Sequence, residues 1–225
     1  MSRFRTLSKK DSGKKESGQQ GRGNLFIIAA PSGGGKTSLV NALLAADKRL
    51  ALSVSHTTRS ARKGEEDGVQ YHFVNLDMFK KLVNEGAFLE HANVFGNHYG
   101  THAGALELQL GKGLDVILEI DWQGAAQVRK IFPECCSIYI VPPSYDVLQQ
   151  RLSRRATDSK EVIDRRMHEA QAEISHWNEF DYLVVNEKFE EALLEIRNIM
   201  QCTRSGKYIQ QNQPKRLLAE LLGSR

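Results

Sequence analysis

The sequence predicts an α/β fold, a parallel sheet flanked by helices, on three observations. Leu25-Phe26-Ile27-Ile28-Ala29 is an unbroken apolar run, the pattern of a strand buried on both faces. It runs directly into the glycine-rich stretch Ala30-Pro31-Ser32-Gly33-Gly34-Gly35-Lys36-Thr37, and then into a helical pattern from Ser38 to Leu44. Further apolar runs at 116–121, 137–141 and 182–186 alternate with helical segments, which implies strands covered by crossover helices.

In chain order, the first helix is expected to reach about Ala46, followed by a short strand over 53–57 and a charged loop over 59–68. Tyr71-His72-Phe73-Val74 reads as an edge strand. Asp77 is placed to cap a helix that Gly86 stops, and a strand over 88–95 ends at Gly96-Asn97. A helix from about Ala103 to Leu110 ends at Gly111-Lys112-Gly113. The strand over 116–121 leads to a helix from Gln123 to Phe132. That over 137–141 is stopped by Pro142-Pro143, where Ser144 caps a helix through Leu152. The stretch from Arg151 to Asp158 is basic and irregular. A long helix from about Lys160 to Trp177, the strand over 182–186, a helix from Phe189 to about Tyr208 and a short helix opened by Pro214 complete the chain. Closely spaced strands over 53–101 break the strand–helix rhythm, so that segment reads as a smaller α+β subdomain inserted in a core formed by 24–52 and 102–225. The helices after Phe189 could serve packing or self-association, leaving a homo-oligomer open.

Composition is that of a globular protein, 40% hydrophobic and 26% charged, with no apolar run long enough to cross a bilayer. The polar N-terminus argues against secretion. The net charge of +4 is unevenly placed: Arg3, Arg5, Lys9, Lys10, Lys14, Lys15 and Arg22 against Asp11 and Glu16 put +5 on residues 1–23 and leave −1 on the rest. This Ser/Gly/Gln/Lys-rich tail is expected to be disordered. It lacks the aromatic residues that stack on bases, so no nucleic-acid partner is expected. Cys135, Cys136 and Cys202 show neither disulfide nor zinc spacing, which fits a reducing, cytoplasmic setting.

The glycine-rich stretch carries the first chemical signal. Strand, turn and helix start stand in the order that a P-loop requires, with Ala30 at the usual first glycine. Glycines let backbone N–H groups close on an anion, and the helix N-terminus adds unpaired donors. Lys36 is placed to reach terminal phosphates, and Thr37 offers a hydroxyl to Mg²⁺. A second signal lies in the inserted segment. Arg59 and Arg62 stand three apart in a glycine-containing loop, suited to bidentate phosphate contacts, with Tyr71 and Tyr99 as further donors. Glu90 interrupts an apolar strand. A carboxylate there can accept at once from the N1–H and the exocyclic amine of guanine, with Ser55 and Thr101 for the remaining polar atoms.

The run Thr57-Thr58-Arg59, then Arg62, Glu65, Gly68 and Tyr71-His72-Phe73-Val74, resembles the signature of the guanylate kinase family. Phe95-Gly96-Asn97-His98-Tyr99-Gly100-Thr101 and Ile120-Asp121-Trp122-Gln123-Gly124 resemble it too, and the likeness extends from Leu25 to the last core helix. The resemblance implies a P-loop core, a GMP-binding subdomain over 53–101, a mobile lid at about 146–167, and transfer of a phosphoryl group from ATP to GMP or dGMP with Mg²⁺. It implies that residues 30–37 and Asn186 hold ATP. It implies that Ser55, Glu90 and Thr101 contact guanine, that Arg59, Arg62, Tyr71 and Tyr99 hold the GMP phosphate, and that Asp121 lines the same site. Lys36, Arg62, Arg151, Arg155 and Arg166 would be catalytic, and Glu119 would stand near the metal. The family's lid usually reads Gly-Arg-Gly where this chain has Arg154-Arg155-Ala156, a stiffer hinge with one more charge.

Two other readings remain at this stage. A kinase of another nucleoside monophosphate would share the P-loop but not the Thr57-Thr58-Arg59 to Tyr71 run. A binding module without catalysis would have a degraded P-loop, whereas Lys36 and Thr37 are intact. Because the tail is read as disordered, deleting residues 1–22 should leave kcat, KM and the melting temperature nearly unchanged; a large loss in any of them would show that the tail packs on the body.

Overall fold

The computed structural model describes residues 21–153, 160–211 and 214–223. Its elements are β1 (Leu25–Ala29), α1 (Lys36–Ala46), β2 (Leu50–Leu52), β3 (His56–Thr57), β4 (His72–Phe73), α2 (Leu76–Asn84), β5 (Phe88–Val94), β6 (Asn97–His102), α3 (Ala103–Gly111), β7 (Asp115–Glu119), α4 (Trp122–Ile131), β8 (Cys136–Val141), α5 (Tyr145–Ser153), α6 (Lys160–Ile174), β9 (Tyr182–Val185), α7 (Phe189–Arg204) and α8 (Lys215–Leu221).

The predicted α/β class holds. Strands β2-β7-β1-β8-β9 form a wholly parallel sheet, and β4-β3-β6-β5 form a second, mixed sheet from residues 56–102. The apolar run of β1 is explained by the two faces that it serves. Phe26 and Ile28 pack with Leu39, Val40 and Leu43 of α1 and Ile196 and Ile199 of α7. Leu25 and Ile27 pack on the other side with Leu106 and Leu110 of α3 and Ala125 and Val128 of α4. A third cluster joins Tyr139 and Val141 to Leu148 and Leu152 of α5 and to Met167, Ala170 and Ile174 of α6. Since β1 is central, its carboxyl end opens where the chain departs to either side, the place where open α/β sheets bind ligands.

Several local expectations are corrected. The first short strand is Leu50–Leu52, paired with β7 through Leu52↔Ile117, while Ser53 and Ser55 lie buried between it and His56–Thr57. Asn75, not Asp77, caps α2: its extended backbone turns the side chain to accept from Met78 N at 2.8 Å, and Asp77 falls in the first turn, where it favours the helix dipole. The strand β6 was not foreseen, because Asn97-His98-Tyr99-Gly100-Thr101-His102 carries no apolar alternation. It forms through a two-residue hairpin whose central Phe95 and Gly96 both take positive φ, 51° and 78°, as a type I′ turn demands. The long helix ends at Ile174 rather than Trp177, and a 3₁₀ turn over Trp177–Glu179 follows, with His176 stacked on Trp122 at 3.5 Å. At the N-terminus, residues 22 and 23 belong to the body. Arg22 makes a bidentate pair with Glu107 (2.7 and 2.9 Å), and Gly23 N donates to Leu110 O. The rest of the basic tail lies outside the described residues.

The end of α7 is fixed by charge. Asp115, at the start of β7 and nearly buried, accepts from Asn24 N (2.7 Å), Asn24 Nδ2 (2.8 Å) and Arg204 Nε (2.6 Å). Arg204 also reaches Asp47 at 2.8 Å, and Asp47, bonded first by Arg49 and then by Arg204, is held well below the usual carboxylate range. Removing the guanidinium would leave Asp115 buried without its cation. Arg204→Met should therefore destabilise the fold by about 3 kcal/mol in urea unfolding; a loss under about 0.5 kcal/mol would refute the pairing.

Candidate functional site

The two sheets face one open cleft of about 470 Å³, a size suited to small-molecule ligands. On the core side, β1 ends in the loop over 30–35. Helix α1 starts with Gly35 at its N-cap, in the left-handed region at φ 91°, with no side-chain cap. Its first N–H groups are thus left to a ligand, whereas α2, α3 and α4 are capped by Asn75, His102 and Asp121. A Cβ on Gly35 would stand 2.4 Å from Asn186 Nδ2, so the loop needs glycine for space as well as for conformation. Asn186 donates to Gly34 O at 2.9 Å, and Ser32 N donates to Glu173 Oε2 at 2.9 Å, so the loop is tied from both sides. Lys36 Nζ donates to Ile120 O at 3.2 Å, and the Thr37 hydroxyl donates to Glu119 Oε1 at 2.5 Å. The register Ile28↔Glu119 puts that carboxylate beside the end of β1.

Across the cleft stands the second sheet. Glu90 is 3% exposed on β5 and accepts from the Thr101 hydroxyl at 2.6 Å. Burial pushes its carboxyl up to about 7; the Thr101 hydroxyl bond opposes this and the nearby Asp121 adds to it. Ser55 is buried and lines the same cleft. Tyr71 and Tyr99 also line it, with rings 5.8 Å apart, and burial pushes the Tyr71 phenol up to about 12, which keeps it a hydrogen-bond donor. Asp121 caps α4, its Oδ1 accepting from Gly124 N at 2.9 Å, and lines the cleft as well.

The arginines divide. Arg62 and Arg151 line the cleft, and Arg151 Nη2 donates to Asn186 O at 3.0 Å. Arg59 does not line it. Its guanidinium forms a fork with Glu65 (3.0 and 2.9 Å) and lies over the rings of Tyr71 and Phe73. Arg166 is half-buried on α6. Arg155, with Arg154 and Ala156, lies outside the described residues. Among the described residues, Gly34, Thr101, Asn186 and Arg166 stand off the cleft wall, while the rest of 30–37 forms it.

Sequence reasoning missed Glu173. It comes to Ser32 from 141 residues further along the chain, and an acidic residue in a charged helix carries no signal of that. Burial raises its carboxyl above the usual range, Ser32 N and Lys36 opposing. As for a cation, no cluster of three or more His, Cys, Asp or Glu side chains suited to one occurs among the described residues. The hard oxygens on offer are those of Thr37 and Glu119.

Comparison with known proteins agrees with this layout. The family model described as guanylate kinase matches residues 22–203. The guanylate kinase of Alkalilimnicola ehrlichii is 55% identical over 200 residues, covering 89% of this chain and 97% of that protein. That of Hahella chejuensis is 55% identical over 202 residues, covering 90% and 96%. The crystal structure of guanylate kinase from Anaplasma phagocytophilum superposes with a TM-score of 0.69 at 35% identity, covering 92% of this chain and 98% of that one. A phosphate loop facing a buried carboxylate, a family model spanning most of the chain and relatives this similar along nearly their whole length together establish that the chain belongs to the guanylate kinase family.

Proposed function

We propose that the chain transfers the γ-phosphoryl group of ATP to GMP or dGMP, giving ADP and GDP or dGDP. One observation carries the reading: Lys36, at the start of an uncapped helix, and Glu90, buried with a raised affinity for protons, line the same cleft. The loop over 30–37 binds the donor's phosphates through its N–H groups and Lys36, and Asn186 braces that loop from beside the adenine. Ser55, Glu90 and Thr101 read guanine, with Asp121 alongside. Arg62, Tyr71 and Tyr99 hold the acceptor phosphate, and Arg59 joins them by exchanging Glu65 for that anion. The inserted sheet over 53–101 is the acceptor subdomain, and the segment over 146–167 is the lid.

Phosphoryl transfer needs positioning and charge stabilisation more than covalent help. Two polyanions must be brought together, so Lys36, Arg62, Arg151, Arg155 and Arg166 act by neutralising charge that builds on the transferring group. Closure of both sides excludes water, the competing acceptor. Thr37 and Glu119 fit Mg²⁺, an ion that takes one or two protein oxygens and fills its remaining positions from phosphates and water. When bound, that ion screens phosphate charge; the protein's part is to hold the two oxygens at the loop's edge.

An AMP or dTMP kinase would not need a carboxylate aimed at two adjacent base donors, and a module without catalysis would not need Lys36 and Thr37. No described helix is long and apolar enough to cross a membrane. Cys135 and Cys136 are buried free thiols, pushed by that burial up to about 12 and about 11.

Lys36→Ala should cut kcat by at least about a hundredfold with the melting temperature preserved, and near-normal turnover would refute the donor site. Glu90→Gln should raise KM for GMP far more than KM for ATP; equal effects would remove Glu90 from the guanine pocket. The pH dependence has a definite sign. GMP needs Glu90 charged, and the empty pocket holds its proton up to about pH 7. KM for GMP should thus rise as pH falls below about 7, approaching tenfold per unit, while KM for ATP stays flat and Glu90→Gln abolishes the Glu90 component. Since the folded carboxyl lies above its unfolded value of 4.5, the empty protein should also lose stability as pH rises from about 4.5 to 7. Parallel pH profiles for wild type and Glu90→Gln would contradict this.

A further inference from the structure

We propose that Gly124 sets guanine selectivity, by leaving the space in which the Glu90 carboxylate stands at its reading position. The inference rests on the reading of Glu90 given above and extends it to a residue that touches no substrate.

Gly124 is the third residue of α4 and is buried. Nothing in its backbone calls for glycine, since it is absent from the residues at positive φ. In a helix interior glycine is disfavoured relative to alanine, so its presence needs another cause. The surroundings supply one. A Cβ built on Gly124 would lie 2.5 Å from Glu90 Oε2, 3.1 Å from Glu90 Cδ and 3.3 Å from Asp121 Oδ1. All three nearest atoms are carboxylate atoms of residues that line the cleft, and the only approach under 3.0 Å is to the end of Glu90.

The clash has one soft partner. Glu90 and Thr101 are held in register between β5 and β6, and the Thr101 hydroxyl fixes Glu90 Oε1 at 2.6 Å. To reach ordinary contact at 3.4 Å, Oε2 must retreat by roughly 1 Å from an added methyl. A carboxylate that moves so far, or rotates off Thr101, no longer meets two base donors within hydrogen-bond distance at once. The α4 backbone, capped by Asp121, has no cause to shift. Gly124 is therefore a positioning residue acting through Glu90, and its effect falls on GMP and not on ATP.

The test measures kcat/KM for GMP, KM for ATP and thermal melts in wild type, Gly124→Ala, Glu90→Ala and the double variant. Gly124→Ala should lower kcat/KM for GMP by about tenfold or more, the loss of one charge-assisted bond. KM for ATP should stay within about twofold, and melting should stay cooperative, because the obstructed atom is the end of a side chain and not backbone. In the Glu90→Ala background, where the obstructing carboxylate is gone, the same substitution should cost less than about twofold, a non-additivity that a purely structural role would not produce. Unchanged GMP kinetics, an equal loss in both backgrounds, or a Gly124→Ala protein without a cooperative melt would each overturn the inference and leave the function intact. If instead Glu90→Ala alone leaves kcat/KM for GMP unaltered, the guanine reading itself falls.

Discussion

The proposed phosphate cradle keeps backbone N–H groups unpaired inside a folded protein, and the ends of several strands and helices are arranged around that constraint. Uncapped donors at a helix start are costly unless water or a ligand meets them. The starts of α7 and α8 also lack a side-chain cap, but it is α1's that lines the cleft, with Gly35 in a conformation that contributes no side chain. An open cradle would collapse or wander if it were not tied. Asn186 holds Gly34 from the end of β9, Glu173 holds Ser32 from α6, and Lys36 is held by Ile120 at the end of β7. Three different strand or helix ends thus meet on one loop, which is possible because β1 lies in the middle of a parallel sheet and all its neighbours end on the same side.

The facing pocket solves the opposite problem. Where the loop has unfilled donors, Glu90 is an acceptor with little water, and its raised affinity for protons measures the free energy stored there. A ligand that presents two adjacent donors to the carboxylate can replace that lost solvent; adenine, whose single exocyclic amine is flanked by the acceptors N1 and N7, cannot. The positive side is treated differently. Arg59, off the cleft wall, is already paired with Glu65 and covered by Tyr71 and Phe73, so its guanidinium is held in one orientation.

What the sequence made legible follows from how local each signal is. The strand β1, its loop and α1 are contiguous, and their apolar and glycine patterns are dictated by the two faces they serve. The strands β7, β8 and β9 were readable for the same reason. By contrast, β6 is made by its turn and its partner β5 rather than by its own residues, and the polar Asn97–His102 segment hides it. The α2 cap was misplaced by two residues because Asn75 and Asp77 are both acceptable cap types, and only backbone geometry separates them. Glu173 and Gly124 were invisible as functional positions. One acts from a distant helix, and the other matters through an atom it does not have.

The link between Glu173 and the loop also bears on how the two ends of the lid segment are coupled. Arg151, at the end of α5, bonds the backbone of Asn186, which itself holds Gly34, while α6, which starts within the segment and runs beyond it, sends Glu173 to Ser32. The proposed lid and the helix that continues it are therefore fastened to the same six-residue turn at two points, one through a relay and one directly. Any displacement of α6 on closing must stretch or release the Ser32 contact, and the carboxylate's raised proton affinity falls most where that N–H and Lys36 remain close.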